Sequence, residues 1–277
     1  MRLARWGGAA AGPCQINGLN LPGGVPAPNT DADGNPGPEV GLIVKFNIQT
    51  GAWEDELGRS WNDAIQFRLP DHDVFALDVS GNSLASIQLV DDFLGVGTIL
   101  YSMVTNPQSG NIYVSNTEAF NEVRFEGSGA RGTTVQGHLH ENRITVIDPT
   151  NGAVTPWALN THVDFSQIPA DPALKSRSLA IPLEMVVSAD GTTLYVAAFG
   201  SGKVGIYDTA ELEAGTFVPD ENNQITVTGG GPGGLVLDET RNQLYVQTRF
   251  DNGISVVDTV SETETFHIPM HNPEPPS

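Results

Sequence analysis

Apolar and polar positions repeat along the second half of this chain. An apolar stretch around Tyr-Val is followed, after a polar gap, by a strand pattern that ends in Asp. The pattern reads GTTLYVAAFGSGKVGIYD over residues 191–208 and RNQLYVQTRFDNGISVVD over residues 241–258. Tyr195 to Tyr245 and Asp208 to Asp258 are both separated by 50 residues. A looser copy has NIYVSN at 111–116 and RITVID at 143–148. A fixed period of this size marks stacked supersecondary units.

Short apolar runs bounded by Gly, Asp and Asn read as strands joined by turns. ILYSMVTN, IYVSN, RITVID and VTPWAL form one group of four. LEMVVSA, LYVAAF, KVGIYD and a strand within TFVPDENNQITVT form a second. GLVLDE, LYVQTRF, GISVVD and ETFHIP form a third. Four short antiparallel strands per repeat predict an all-β chain of β-propeller blades. Before them, GLIVKFN, AIQFRL (Ile65, Phe67 and Leu69 on one face), DVFALDV and ASIQLV predict a contracted or partial set, with a turn at Ser80-Gly81-Asn82. Residues 1–40 show no strand alternation and read as a loop-rich arm. Residues 41–272 carry the blades and 273–277 form a tail. About four blades is the low end for a closed ring, so an incomplete propeller is expected.

Composition narrows the function classes. The chain has 33 acids against 13 bases among 277 residues, a formal net charge of −20. Phosphate neutralisation needs a basic face, so nucleic acid is an unsuitable partner, and an anionic membrane surface is equally unsuitable. No apolar run is long enough to span a bilayer. The single cysteine, Cys14, has no partner within the chain for a disulfide, and no CxxCH haem motif is present. The start, MRLARWGGAAAGPC, lacks the apolar segment of a signal peptide.

LYVAAFGSGKVGIYD and LYVQTRFDNGISVVD, with the blade entries SADGTTLYV and GGGPGGLVLDETRNQLYV, resemble the YVTN family of bacterial β-propellers. WEDELGRSWNDAIQFRLPDHDVFALD, SNTEAFNEVRFEG, GHLHENRITVID and TRFDNGISVVD followed by HNPEP resemble large secreted or periplasmic bacterial proteins in which such a propeller precedes a cytochrome c-like haem region. The resemblance implies a piece of a longer periplasmic or secreted chain, with earlier blades upstream and the haem motif downstream. It also implies an upstream disulfide partner for Cys14; a free buried thiol is the other reading of that residue.

The repeat serves as a ruler. Tyr195 to Asp208 spans 13 residues, as does Tyr245 to Asp258, but Tyr113 to Asp148 spans 35, so 22 extra residues lie within about 117–142. A second long connection runs from Asn160 to Ile181. In a four-stranded meander both connections leave from one rim, and long loops on a rigid scaffold are where binding residues gather. The expected ligand-binding set is Glu122, Arg124, Arg143, His162, Asp164, Arg249 and Asp251. Glu122, Arg124 and Glu126 alternate along NEVRFEG, which suits either a guanidinium-centred carboxylate site or a salt-bridged loop that braces itself. His138 and His140 fall on one side of an extended segment. With Glu122 or Asp164 they have donors for a divalent transition metal, or they hydrogen-bond loop carbonyls. Asn29, Asp31 and Asp33, followed by Gly34, match the opening of a calcium loop, although position twelve is Val40.

GGGPGG at 229–234 lacks the Lys-Ser/Thr and the helix of a phosphate loop and reads as a structural blade entry. Asp71-His72-Asp73 reads as a turn. No GxSxG elbow is present, and no Ser-His-Asp grouping can be ordered from sequence. The expected function is therefore a non-catalytic binding or docking module, linked through its parent to c-type haem electron transfer. Its partner would be a protein or the remainder of that parent, with a small-molecule ligand also open. The alternative is a propeller enzyme, a lactone hydrolase or quinoprotein dehydrogenase-like protein, using the long-loop face.

Overall fold

The computed structural model describes residues 13–16, 18–24, 42–47, 49–55, 57–65, 72–81, 83–120, 138–167 and 170–270. They fall into two compact units. One draws on Met1–Pro70, Phe120–His140 and Asp164–Asp171; the other on Asp71–Ala119, Glu141–Val163 and Pro172–Ser277.

In the first unit, β1 (Cys14–Ile16) and β2 (Leu19–Leu21) form a hairpin where the polar composition predicts only loop. The overlooked signal is Asn17-Gly18, a preferred dipeptide of two-residue hairpin turns. Gly18 takes a left-handed φ of 81° there. A second pair joins β3 (Lys45–Asn47) to β4 (Ala52–Glu54), with Phe46 opposite Trp53. Asp55, 6% exposed, anchors the segment that follows. It accepts from Arg59 Nε at 2.8 Å, Trp61 Nε1 at 2.9 Å and the backbone N–H groups of Leu57 and Arg59. Burial pushes its carboxyl up, but these donors outweigh that and hold it below the usual range. The strand expected over AIQFRL opens on a 3₁₀ turn, Asn62–Ala64. Phe67 and Leu69 lie outside the described residues.

The second unit begins with a two-stranded sheet, β5 (Val74–Asp78) and β6 (Gln88–Phe93). Its second strand starts later than the ASIQLV pattern suggests, because Leu84–Ser86 coils into a 3₁₀ turn. Three four-stranded antiparallel sheets follow. The first contains β7 (Ile99–Thr105), β8 (Ile112–Ala119), β9 (His140–Asp148) and β10 (Ala153–Ala158). The second contains β11 (Pro182–Val187), β12 (Thr193–Ala198), β13 (Lys203–Asp208) and β14 (Gln224–Thr226). The third contains β15 (Pro232–Asp238), β16 (Gln243–Thr248), β17 (Gly253–Asp258) and β18 (Thr263–Pro269). Within each sheet the spatial order is the chain order. These are the three groups that the hydrophobic pattern predicts.

The first strands β7, β11 and β15 lie side by side, and the sheets stack face to face. This is blade packing: an all-β propeller fold with three full blades and the smaller β5–β6 sheet, about four in all. The 50-residue period sets which side chains meet. On the middle blade, Met185, Leu194, Val196 and Tyr207 face back to Tyr113, Ile144 and Val146. One period later, Leu235, Leu244, Val246 and Val257 face Tyr195, Val204 and Ile225. Alternation puts consecutive residues of one strand into opposite joints, so Leu194 belongs to one core and Tyr195 to the other. Leu194, Val196, Leu244 and Val246 are fully buried, each worth about 1.5–3 kcal/mol against exposure.

The Asp that ends each third strand turns the chain. Asp148 accepts from the Thr150 N–H at 2.8 Å and Asp258 from the Ser261 N–H at 2.7 Å. Asp208 instead caps a short helix, α1 (Thr209–Ala214), that the sequence pattern does not predict, accepting from the Glu211 N–H at 3.0 Å. Among the described residues no helix is long and apolar enough to cross a membrane.

Candidate functional site

The connections that share one rim of the blades lie against each other within the second unit. The Ile181 N–H donates to Asn142 Oδ1 at 2.8 Å, and the Phe199 and Gly200 N–H groups donate to Ile181 and Ala180 carbonyls at 3.0 and 2.8 Å. Val227 N–H reaches the Gly202 carbonyl at 3.1 Å. The loops after β10, β12 and β14 are therefore one continuous edge.

Arg249, Phe250, Asp251 and Asn252 form the loop between β16 and β17, and the triple glycine before β15 is its seat. Gly229, Gly230 and Gly231 have φ of 84°, 63° and 56°, a left-handed run that glycine alone adopts cheaply. A Cβ on Gly229 would lie 2.3 Å from the Asp251 carboxylate, and one on Gly230 2.9 Å from the Phe250 ring. Arg249 N–H donates to the Gly230 and Gly231 carbonyls at 3.2 and 3.1 Å. The glycines are structural, as the sequence implies, and their purpose is to let this loop rest on bare backbone. Phe250 is displayed at 70% exposure, edge-on to Phe199 at 5.2 Å between centroids. Arg249 lies across Gly233, where a Cβ would stand 2.6 Å from its Nε. Among the described residues its guanidinium has no hydrogen-bond or ion-pair partner. An aromatic pair beside an unengaged guanidinium suits a planar or carboxylate-bearing contact.

Beneath this loop is a constellation that sequence reasoning missed. Asp251 Oδ2 lies 2.5 Å from His267 Nε2, and His267 Nδ1 lies 2.9 Å from Ser255 Oγ. Ser, His and Asp are thus in line, as in a nucleophilic triad. Ser255 is fully buried, however, and its hydroxyl also lies 3.2 Å from the Thr228 carbonyl. A carbonyl substrate has no approach to it. Glu264 accepts from Thr228 N–H and Oγ1, the latter at 2.7 Å, and closes the network. The Asp251 carboxyl is held below the usual range, first by the Thr248 hydroxyl and, against burial, by His267.

The remaining expected residues are distributed over both units. Arg143 donates from Nε and Nη2 to Glu141 Oε2 at 3.1 Å, with Nη1 3.8 Å from Glu118. Its charge is engaged by the chain's own carboxylates. His162 Nε2 lies 2.9 Å from Ser178 Oγ and 3.3 Å from the Leu174 carbonyl. Burial first, and Arg177 in addition, push its pKa down, so it is neutral near pH 7. In the first unit the two long insertions meet. The His138 ring stacks between Phe120 and Phe165, at 4.1 and 3.6 Å between centroids, and Lys45 donates to the Phe120 carbonyl. His140 opens β9 and is exposed. Asp164 accepts from the Ser166 N–H and hydroxyl at 2.9 and 2.6 Å. Among the described residues no group of three His, Cys, Asp or Glu side chains is placed to hold a metal. Glu122 and Arg124, with the calcium candidates Asn29, Asp31 and Asp33, lie outside the described residues.

No protein-family model and no curated protein matches the sequence. Solved structures resemble it in shape. Hydrazine synthase of Kuenenia stuttgartiensis aligns at TM-score 0.46 and 18% identity, over 62% of this chain and 49% of that one. A periplasmic gluconolactonase of Pseudomonas aeruginosa aligns at TM-score 0.41 and 16% identity, over 68% and 47%. A nidogen/laminin complex aligns at TM-score 0.42 and 12% identity, over 79% and 59%. The chain spans about half the length of the first of these.

Proposed function

We propose that this chain is a non-catalytic docking module whose rim at Phe199, Arg249 and Phe250 meets a protein partner. In this reading it serves a larger periplasmic protein with c-type haem. The observation that supports it most is the display of Phe250 over three left-handed glycines beside Arg249, whose guanidinium is unengaged among the described residues. Aromatic and Arg side chains dominate interface energetics, and Phe250, 70% exposed, forms an aromatic pair with Phe199 at this rim. The hydrolase alternative has the Ser255–His267–Asp251 line, but its hydroxyl is sealed from solvent.

Two measurements test this. The neighbouring coding sequence should carry early blades and a signal peptide upstream and CxxCH downstream. The downstream product, expressed separately and titrated calorimetrically, should bind this chain, with Phe250→Ala weakening the affinity tenfold or more. An unchanged affinity, or hydrolysis of sugar lactones by the pure chain, refutes the reading.

A further inference from the structure

The 50-residue register maps one blade joint onto the next, and it leaves one face unmatched. The middle blade holds the last blade with Val186, Tyr195, Val204, Ile206 and Ile225. Adding 50 carries Val186 to Val236, Tyr195 to Tyr245, Val204 to Ile254 and Ile206 to Val256. The ladders complete the set: Val204 pairs with Ile225 in the middle blade, and Ile254 with Ile268 in the last. Val256 pairs with Phe266. The last blade therefore repeats, on its far side, the apolar face that the middle blade uses to grip its successor. The environments differ. Tyr195, Val204 and Ile225 are 6%, 0% and 5% exposed, whereas their counterparts Tyr245 and Ile254 are half-buried and Ile268 is 44% exposed; Val236 and Phe266 beside them are 65% and 61% exposed, and of this face Val256 alone is buried, at 8%.

We infer that this far face of the last blade, Val236, Tyr245, Ile254, Phe266 and Ile268, is a seat for a further four-stranded blade of the same repeat. The occupant is named by continuity with the two joints already present. In each, a Val-Tyr-Val/Ile face receives a Leu/Met, Leu, Val face from the next sheet. Blades bury their faces only against neighbours, so a repeat face of this composition without one carries an unmet packing demand. The net charge of −20 opposes self-association of two whole chains, which would bring like charges together. The seat is separate from the rim loop, and the inference stands or falls independently of the docking function above.

The test extends the chain by one blade. Five residues join Thr226 to Pro232. Repeating residues 228–270 directly after Met270 also leaves five residues between Pro269 and the second copy of Pro232. The added blade presents the same Leu235, Leu244, Val246 and Val257 face that already fits the middle blade. The expected result is a melting temperature several degrees higher and protease resistance of the added segment. Val236→Glu with Phe266→Glu should leave the melting temperature of the original chain nearly unchanged, because both sites are exposed, and should abolish the gain in the extended chain. A gain that survives the double variant overturns the inference, as does an added segment that stays protease-sensitive. Concentration-dependent dimerisation of the original chain that Phe266→Glu abolishes also overturns it, by placing a second copy on the face.

Discussion

The Tyr113 hydroxyl donates to Glu213 Oε1 at 2.5 Å and ties β8 of the first full blade to helix α1 of the next. The same oxygen of Glu213 accepts from Ser109 Oγ at 2.8 Å, and Asn106 Nδ2 donates to the Tyr113 oxygen at 2.9 Å. Burial first, with Glu213 beside it, pushes the Tyr113 hydroxyl above its ordinary range, so it remains a donor at all working pH values. Tyr113→Phe keeps the ring, which is fully buried, and removes only the hydroxyl. Its expected cost is about 1–3 kcal/mol, because Asn106 and Glu213 lose a partner in a semi-buried place. Urea denaturation of the variant against the parent measures this.

The two faces of the last blade should respond differently to truncation. Leu244 is fully buried in the joint with the middle blade, so Leu244→Ala should cost about 2–5 kcal/mol. Val236 is two-thirds exposed, and Val236→Ala should fall within about 0.5 kcal/mol of the parent. Equal losses would mean that the far face is already covered.

Acid stability should depend on Asp251. Its carboxyl titrates below the unfolded value, chiefly through the Thr248 hydroxyl. The unfolded chain therefore binds the proton first, and the stabilisation is present above about pH 4 and disappears as pH falls through the lowered pKa. Asp251→Asn should lower stability at pH 6 and flatten its decline below pH 4. A parallel, undiminished acid slope in the variant contradicts the network.

Helix α1 depends on both of its ends. Asp208→Ala removes the N-cap, for an expected loss of about 0.5–2 kcal/mol. Gly215 ends the helix at φ 67°, and a Cβ there would stand 2.2 Å from the Trp157 ring. Gly215→Ala combines a left-handed penalty with that collision and should be the more damaging change. Thermal melts of the two variants rank them, and a reversed order would show that Trp157 yields freely.

Some of this was legible in the amino-acid order and some was not. The rim site illustrates the division. Arg249 and Asp251 could be named from the loop position that the repeat assigns them. Their partners could not. His267 meets Ser255 because β18 slips by one residue between Val256 and Val257, and alternation gives no sign of where such a slip falls. Without it, the side chain at 267 would move to the other face.

What the order of residues determined by itself is the period, the three groups of four strands and the turning role of Asp148 and Asp258. These rest on alternation and turn chemistry, which act over a few neighbouring positions. Tertiary structure alone decided that Ser255 is sealed, that Arg143 is occupied by Glu141 and Glu118, that His138 lies between two phenyl rings, and that one repeat face is covered while its copy is partly exposed. Burial and pairing are properties of what arrives from elsewhere in the chain, and residues with the same local pattern, Tyr195 and Tyr245 among them, differ only in what packs against them.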